Sequence, residues 1–398
     1  MPELPAVTLT DPSSKLTALF VPAAGMIGTS LSEDGVELLG QRRGLNAYVT
    51  TGKTMGIPIL YPWANRLSAN NYAVEGGIVT LVSGVGGVRT DEHGVPIHGI
   101  LAAYPGWQTT VQTENRLTAE LDFAATPRLL AYFPYPHVLT LDVELSDHAL
   151  TVRTTVRPTT TAPVPLCFGF HPYFQIPEVP RAQWQIETPA MRHLLVDAWG
   201  LPTGASQPHP AAAELLRDKI FDNGYDEVPQ GAVFAVSGGG RRIEVVFDEG
   251  YPAAQIFAPT TDDVVCFEPM AAPTDALRRG NYRVATQDEP ATAQVVHRQR
   301  RHRRGGGGPS RQLDDGGTKA DAGGLRAPPG QRRQHVAPVR LRGPDRIEAE
   351  PFGFADRGER GLGGSTRRPE AGVQPQLQAH RPVHTGLRFS ANARGPST

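Results

Sequence analysis

The chain has 398 residues, which is enough for two or three average domains, although a single β-rich domain can take up more than about 200 residues. With 39% hydrophobic residues and four Trp, ten Tyr and fourteen Phe, the composition excludes a chain that is disordered throughout. The net charge of −1 hides an asymmetry, because residues 1–296 hold 19 Lys and Arg against 31 Asp and Glu, whereas residues 297–398 hold 20 against 9.

Through residues 1–296, short alternating or β-branched apolar runs are separated by Gly, Pro, Asn and Asp about every ten positions. This pattern predicts strands over 16–21, 78–82, 117–123, 138–145, 150–156, 242–247 and 254–257. Only 211–218, AAAELLRD, is predicted to form a short helix, because it combines strong helix formers without Gly or Pro. We therefore predict an all-β domain, an antiparallel sandwich or a related architecture.

Beyond Val296 the apolar periodicity stops, and the chain continues as HRQRRHRRGGGGPSRQLDD and onward in the same manner. Such a composition cannot build a core, so 297–398 is predicted to be a disordered tail. The tail holds 19 of the 35 arginines but only one lysine, Lys319, which favours the hypothesis of a shifted reading frame in a GC-rich gene. The competing hypothesis is an Arg- and Gly-rich nucleic-acid-binding extension. We favour the first and expect no nucleic acid partner.

Cys167 and Cys266 allow at most one disulfide, and both lie in apolar runs that suit buried thiols. The N-terminus, MPELPAVTLTDPSSK, lacks the basic and apolar regions of a signal peptide, and no stretch approaches the roughly 18 apolar residues of a spanning helix. We expect a soluble, cytoplasmic protein without a membrane partner. The sequence does not fix its oligomeric state.

Four segments combine apolar residues with a side chain that can bind a ligand or transfer a proton. They are GIPILYPWANRL at 56–67, HGVPIHGILA at 93–102, LCFGFHPYFQIP at 166–177 and VVCFEPMAAPTDAL at 264–277. In the third, an apolar run ends at His171, and Pro172 is expected to prevent further pairing. In the fourth, Pro269 is expected to end the strand at Glu268. Small residues share the faces of both side chains, which leaves room for a ligand, and partial burial would raise the pKa of Glu268 toward that of a working base.

Five motifs resemble the aldose 1-epimerases, the galactose mutarotase-like family. They are PWANR at 62–66, IHG at 97–99, FHPYF at 170–174, FDNGY at 221–225 and FEP at 267–269. The resemblance runs from the N-terminal strands to about Val296. It implies a large antiparallel β-sandwich over 1–296 that binds a sugar and interconverts its anomers, without a cofactor or a metal.

The resemblance also implies roles for particular residues. Glu268 resembles the general base that takes the proton from the anomeric hydroxyl, and His171 resembles the acid that protonates the ring oxygen. His98 is similar to the second active-site histidine. The substrate-binding residues implied are Asn65, Arg66, Asp222 and Gln255, with Asp226 as the fallback for Asp222.

The chemistry supports this set without the family name. Opening a pyranose ring removes a proton from O1 while another is delivered to O5, and a carboxylate and an imidazole on opposite sides of the ring can do both. Arg66 and Asp222 would orient the ring by charge-assisted hydrogen bonds. Trp63 or Tyr173 would offer an apolar face to its C–H groups.

Structural interpretations compete at several positions. For His93, His137 and His193 we keep a structural role, and we prefer His98 to the nearby His93 in the site. Arg66 could cap a strand edge, and FDNGYDE, which contains Asp222, is also an ordinary turn sequence. Neither the spacing of His93 and His98 nor the absence of cysteine partners fits a usual zinc site, so no metal is predicted.

Three functions remain: a mutarotase acting on a free hexose such as glucose or galactose, a hexose-phosphate mutarotase, and a non-catalytic carbohydrate-binding protein. The first leads, because a phosphate site should gather several cations and only Arg66 lies in a site motif, although Arg89 and Arg128 could assist. A protein that only binds a sugar would not need the pair of Glu268 and His171. A glycosidase would need two facing carboxylates.

Overall fold

The computed structural model describes residues 4–301. In chain order, its strands are β1 Val7–Thr10, β2 Leu16–Val21, β3 Ile27–Glu33, β4 Val36–Glu37, β5 Ile59–Leu60, β6 Asn71–Val74, β7 Gly77–Thr80, β8 Arg89–Thr90, β9 Pro96–Ile97, β10 Gln108–Gln112, β11 Arg116–Asp122, β12 His137–Ser146, β13 Ala149–Pro158, β14 Val164–Leu166, β15 Gly169–Phe170, β16 Tyr173–Phe174, β17 Gln185–Thr188, β18 Met191–Val196, β19 Pro202–His209, β20 Ala212–Leu215, β21 Phe221–Asp226, β22 Ala232–Gly238, β23 Arg241–Glu249, β24 Ala253–Ala258, β25 Val265–Met270, β26 Arg283–Ala285 and β27 Ala291–Arg301. Three short helices are α1 Gly44–Thr51, α2 Pro127–Leu130 and α3 Ala276–Arg279. Two 3-10 turns cover Pro22–Ala24 and Arg181–Gln183.

Two large antiparallel sheets dominate the described residues. The nine-stranded sheet has the order β10-β11-β12-β13-β27-β23-β22-β17-β20, and the eight-stranded sheet has the order β19-β18-β21-β24-β25-β15-β5, with β16 also paired to β25. A four-stranded sheet of β1 to β4 and three two-stranded sheets complete the strands. The predicted antiparallel β-sandwich is therefore confirmed.

The core lies between the two large sheets. Phe234 of the nine-stranded sheet meets Phe267 of the eight-stranded sheet with ring centroids 5.5 Å apart. Along β12 the side chains alternate between buried and half-exposed over most of the strand, as a strand with one core face requires. All seven predicted strand segments fall on strands of the structure, with ends shifted by at most two residues.

The predicted helix at 211–218 is wrong. The segment instead forms β20, Ala212–Leu215, which pairs antiparallel with β17 at the edge of the nine-stranded sheet. A helix of eight residues is marginal in isolation, and here the hydrogen bonds of a neighbouring strand outweigh the propensity of Ala, Glu and Leu. The helix α1 was not predicted, since Gly, Val and Thr in GLNAYVTT are weak helix formers.

The folded domain extends beyond the predicted end at Val296. β27 continues to Arg301, between β13 and β23 in the middle of the nine-stranded sheet. The overall arginine content hid a period-two pattern, in which Val295, His297 and Gln299 are buried and the two arginines that flank Gln299, Arg298 and Arg300, are exposed. Residues 302–398 lie outside the described part of the chain, and the tail there stays a prediction.

His297 is a polar residue in an apolar position. It is 1% exposed, lies 5.4 Å from the ring of Phe174, and neither ring nitrogen has a hydrogen-bond partner among the described residues. A buried polar group without a partner costs about 1 to 3 kcal/mol. We therefore expect His297→Leu to raise the free energy of unfolding by about that amount, measured by urea denaturation at pH 7.5. A loss of stability would mean that the imidazole is hydrogen-bonded after all.

Candidate active site

His171 and Glu268 lie side by side at a break in the eight-stranded sheet. The break separates β15 from β16 and contains His171. β25 faces it, pairing with β15 at Met270 and with β16 at Cys266, and Glu268 lies between these two pairings. The Oε1 atom of Glu268 is 3.2 Å from Nε2 of His171. The two side chains therefore converge as predicted, but this contact leaves no room for a sugar ring between them, so the expected placement on opposite sides of the ring is wrong.

Neither proline ends pairing as expected. β25 continues through Pro269, which pairs with Ala254 of β24. A proline is tolerated there because no residue pairs with it on the other side, where the β15–β16 break lies. Pairing also resumes after Pro172, in β16. Glu268 is thus held inside a strand, with neighbours that fix its position.

A cavity of about 180 Å³ opens beside the His171–Glu268 pair. Every residue predicted for the site lines it: Asn65, Arg66, His98, His171, Asp222, Gln255 and Glu268. The remaining lining residues are Arg42, Thr54, Ile97, Tyr173 and Phe257. The geometry gathers acid, base, amide and guanidinium groups around one opening.

Asp222 and Gln255 form the wall on the β21–β24 side. Gln255 pairs with Glu268 across β24 and β25, and its Nε2 donates a 2.7 Å hydrogen bond to Oδ1 of Asp222. FDNGYD is the strand β21, so the interpretation of this segment as a turn is wrong. The fallback Asp226 does not line the cavity.

Asn65, Arg66 and His98 line the cavity from two loops that cross and pair with each other. The amide of His98 donates to the carbonyl of Asn65 at 2.9 Å, and both residues have left-handed backbones, with φ of 62° and 54°. Such strain in non-glycine residues is common where a side chain must be aimed at a ligand. Arg66 reaches the cavity while its Nε donates to Oδ2 of Asp91 at 2.7 Å.

Gly99 allows this crossing, because it has a φ of +69° and a Cβ there would lie 2.0 Å from the carbonyl oxygen of Tyr61. We expect Gly99→Ala to lower the free energy of unfolding by at least about 2 kcal/mol. Thermal unfolding measures the loss. Gly76→Ala is the matched control, because Gly76 has a φ of +76° but no atom within 4 Å of its Cβ position. Equal losses in the two variants would show that the close approach at Gly99 adds nothing.

Tyr173 contacts His171 directly, and Arg42 in turn contacts Tyr173. The Tyr173 hydroxyl lies 3.2 Å from Nε2 of His171 and 2.5 Å from Oγ1 of Thr54, and it accepts a 3.1 Å hydrogen bond from Arg42. The Tyr173 ring stacks on the imidazole at 4.3 Å and also carries the Arg42 guanidinium at 5.0 Å. Tyr173 lines the cavity, and its role of offering an apolar face to the sugar stays a prediction, whereas Trp63 is buried and does not line the cavity.

Sequence reasoning missed Arg42, Thr54, Ile97 and Phe257. Arg42 lies in a loop, QRRG, in which two neighbouring arginines look like ordinary surface residues. A 3.1 Å ion pair with Asp262, a residue that is distant in the sequence, holds its side chain in place. The strand AQIFA did mark Phe257, which lies two residues after Gln255 and so shares its face.

The other histidines lie elsewhere. His137 is bonded at 2.6 Å to both the Tyr61 hydroxyl and the Tyr135 carbonyl, and His193 lies 2.9 Å from the amide nitrogen of Asn223. His93 stacks on Trp199. None of the three lines the cavity, in agreement with the structural roles assigned to them. In residues 4–301 no group of three or more His, Cys, Asp or Glu is arranged to hold a metal ion.

Burial opposes charge on both members of the pair. It raises the pKa of Glu268 well above its usual value, with a further rise from Asp222 and a smaller opposing effect from Arg66. It lowers the pKa of His171 well below its usual value, helped by His98 and Arg42. Both shifts favour the uncharged pair, in which the proton lies on Glu268.

His98 is held neutral as well. Burial and the positive charges of Arg66 and Arg89 lower its pKa to about 3. Its Nδ1 has no hydrogen-bond partner within the described residues, and the same is true of His171 Nδ1 and Glu268 Oε2. Buried polar atoms without partners at a cavity are groups that a polar ligand can satisfy.

The comparisons with known proteins point to one family. The family model described as aldose 1-epimerase matches residues 6–289. A protein of Synechocystis sp. PCC 6803 is 22% identical, with a TM-score of 0.62 over 75% of this chain and 97% of its own. A putative aldose 1-epimerase of Escherichia coli K12 is 20% identical, with a TM-score of 0.57 over 75% of this chain and 99% of its own.

A galactose 1-epimerase of Lactobacillus acidophilus is 13% identical, with a TM-score of 0.57 over 76% of this chain and 100% of its own. No curated protein matches the chain. Within residues 4–301, no helix has the length and apolar character needed to cross a bilayer. The structural likenesses are too distant in sequence to show more than the fold, but the family model covers most of the residues, and the chain therefore belongs to the aldose 1-epimerase family.

Proposed function

We propose that this chain interconverts the α and β anomers of a free hexose, such as glucose or galactose, by acid–base opening of the pyranose ring. The observation that carries the proposal is the 3.2 Å contact between Glu268 and His171 at one cavity. A carboxyl group and an imidazole in contact, surrounded by groups that bind hydroxyls, supply what ring opening requires. The proposal needs no cofactor.

The contact suits the reaction because both reacting oxygens belong to one carbon atom. O1 and O5 are bonded to C1, so two groups that touch each other can reach both. The sugar then meets the pair edge-on, with C1 toward the two side chains. Glu268 takes the proton from O1 while His171 delivers one to O5, and the roles reverse when the ring closes on the other face.

This division of roles requires the proton of the pair to lie on His171, whereas burial favours Glu268. The two forms hold the same number of protons and differ by one transfer between atoms 3.2 Å apart. Arg66 already favours the carboxylate form of Glu268. The hydroxyl groups of a bound sugar add hydrogen bonds to both charged groups, which favours the reactive form.

The remaining lining residues are proposed to hold and orient the sugar. Asn65, Arg66, Asp222 and Gln255 present amide, guanidinium and carboxylate groups that match neutral hydroxyls. His98, uncharged near neutral pH, exchanges hydrogen bonds with a hydroxyl rather than supplying a full charge. Fixing the ring in this way contributes to the rate by orientation.

A hexose phosphate is the alternative substrate, and the charges argue against it. Arg42 adds a second guanidinium to the lining, yet it is paired with Asp262, and Arg66 is paired with Asp91. A phosphate would have to compete with these carboxylates. Arg89 lies at an adjoining cavity and contacts the carbonyls of Tyr48 and Ala102, and Arg128 lies beside the ring of Tyr104.

A reducing compartment suits the two thiols. Cys167 and Cys266 are both buried and unbonded to each other. Since burial raises the pKa of both thiols, neither is poised for oxidation. The absence of a disulfide between them is compatible with the cytoplasmic location that we propose.

Polarimetry tests the proposal. Freshly dissolved α-glucose or α-galactose should approach its equilibrium rotation faster in proportion to the concentration of the full-length protein. A rate increase for glucose 6-phosphate alone would favour the hexose-phosphate alternative. Binding of the sugars by calorimetry without any rate increase would leave a carbohydrate-binding protein.

A further inference from the structure

A second cavity adjoins the proposed sugar cavity. It has a volume of about 120 Å³, compared with about 180 Å³ for the sugar cavity. The two linings share Thr54, Ile97 and His98, so the cavities are neighbours on either side of these residues. We call the second one the basic cavity, because Lys53 and Arg89 are part of its lining.

The basic cavity differs from the sugar cavity in its charges. Lys53 and Arg89 line it, and among the residues that the structure describes no Asp or Glu does so. The sugar cavity, in contrast, has Asp222 and Glu268 in its lining. Positive charge that no acid compensates attracts anions into a concave site. Since the basic cavity is also the smaller of the two, a small oxyanion suits it better than a second sugar ring.

Arg89 is a half-buried guanidinium without a carboxylate partner. It forms no ion pair within residues 4–301, and its hydrogen bonds there are two contacts of 3.4 Å from Nη2 to the carbonyls of Tyr48 and Ala102. Nε and Nη1 donate to none of the described residues. Burial lowers the pKa of Arg89, because it withdraws water from the charge. An oxyanion that accepts hydrogen bonds from these free donors would stabilise the charge.

A purely structural role for Arg89 explains only part of this geometry. Tyr48 lies in the last turn of α1, where carbonyls without helical partners attract a cation, so Nη2 offsets the charge of the helix end. A Cβ at Gly52 would lie 2.5 Å from Cζ of Arg89, so the guanidinium packs directly on the backbone. The end of α1 therefore holds the group in place and leaves Nε and Nη1 for a ligand.

Lys53 supplies the second cation. It follows Gly52 at the end of α1, is exposed, and has no ion pair in the described part of the chain. Its long, flexible side chain lets the ammonium group approach an anion that is bound at Arg89.

We propose that Arg89 and Lys53 form a binding site for a small oxyanion beside the sugar cavity. The oxyanion is either a free ion, such as inorganic phosphate, or an acidic group that the sugar itself carries. Only the second source rests on the proposed function, because the binding of a free ion can be measured without turnover.

Calorimetric titration of the full-length protein with inorganic phosphate, at constant ionic strength, tests the site. We expect saturable binding, and Arg89→Gln should raise its Kd about tenfold or more. Lys53→Gln should raise the Kd about two- to fivefold, because an exposed cation contributes less. Both variants keep every arginine of residues 302–398, so any phosphate binding to those residues is the same in all titrations.

Lys15→Gln is the matched control for Lys53→Gln, because Lys15 is also exposed but does not line the basic cavity. It should leave the Kd unchanged. Lys53→Gln alters only an exposed side chain, so it tests the site even if Arg89→Gln impairs folding. No saturable phosphate binding by the wild type, or an unchanged Kd in either cavity variant, would overturn the inference.

Sugars then separate the two cavities and the two sources of the oxyanion. Saturating glucose should leave phosphate binding intact, whereas displacement of phosphate by glucose would place the anion in the sugar cavity and refute the proposal. If the sugar carries the oxyanion, glucose 6-phosphate should bind at least about tenfold more tightly than phosphate, and Arg89→Gln should abolish that gain. If the ion is free, glucose 6-phosphate should bind no more tightly than phosphate does. A failure of the proposed function would appear in polarimetry and leave the phosphate titrations unaffected.

Discussion

Glu268→Gln is expected to slow mutarotation of saturating α-glucose by about 10²- to 10⁴-fold. The amide has nearly the same shape as the carboxyl group, and it can keep a hydrogen bond to His171, so packing in the β25 strand is preserved. What it loses is the ability to take up and return a proton. Polarimetry at several protein concentrations measures the effect as a change in kcat.

Glu227→Gln is the matched control, because the Glu227 side chain is 65% exposed and pairs with Arg192 on the surface. It should leave kcat within about twofold of the wild type. Similar thermal unfolding of both variants would exclude a folding defect as the cause. Activity in Glu268→Gln within about threefold of the wild type would contradict the assignment of Glu268 as the base.

The contact between the two side chains adds a second requirement. If Glu268 and His171 act as one unit that shares a proton, then removing either should cost nearly as much as removing both. The double variant Glu268→Gln, His171→Asn should therefore be only slightly slower than either single variant. Two independent, multiplying losses would mean that the groups act separately, despite the 3.2 Å between them.

Seven of the strands and seven of the residues that line the cavity could be predicted from the sequence, for different physical reasons. Strands such as β12 and β13 bury one face, so their period-two pattern is visible in a single chain. The site residues follow apolar runs or lie within them, and the resemblance to a known family marked them together. Their convergence needs β21, β24 and β25 to be neighbours, which local patterns do not specify.

The errors share one cause, which is pairing between distant segments. AAAELLRD becomes β20 because β17 offers it an edge, and Pro269 stays in β25 because nothing pairs with it on one side. β27 was hidden by its arginines, although its inward residues alternate as a strand requires. Arg42 was missed because the partner that fixes it, Asp262, lies 220 residues away.

Acid is expected to destabilise the fold well above the pH at which carboxylates titrate. Burial lowers the pKa of five histidines, one of which, His193, is only partly buried. The four more deeply buried ones are His98, with a pKa of about 3, His137, about 4, His297, about 3, and His171, well below its usual value. In the unfolded chain each titrates near the ordinary imidazole value of about 6.5. Below that pH the unfolded state binds protons that the folded state does not bind. The contribution of these neutral histidines to the free energy of unfolding is therefore complete above about pH 6.5 and decreases as the pH falls.

Glu268 acts in the opposite direction. Its raised pKa means that the folded state keeps a proton that the unfolded chain loses above 4.5, so its contribution is present below that pH and lost as the pH rises. Between pH 6.5 and 5 it offsets about one histidine. The slope is shallower at about pH 6.5, where the unfolded imidazoles are only half protonated. By about pH 5.5, three net protons at about 1.4 kcal/mol per pH unit each give a fall that approaches about 4 kcal/mol per unit. Urea denaturation at pH 7.5, 6.5, 5.5 and 5.0 measures this slope.

His297 separates this mechanism from general acid sensitivity, because it lies in β27 away from the cavity and depends on burial alone for its shift. The variant His297→Leu should show a slope smaller by about 1.4 kcal/mol per pH unit below pH 6.5, in addition to its higher stability at pH 7.5. A surface variant that removes no imidazole, Ile78→Ala on the β6–β7 hairpin, should keep the full slope. If the His297→Leu slope equals that of the wild type, the imidazole accepts its proton in the folded state, and the burial of β27 beyond Val296 has to be revised.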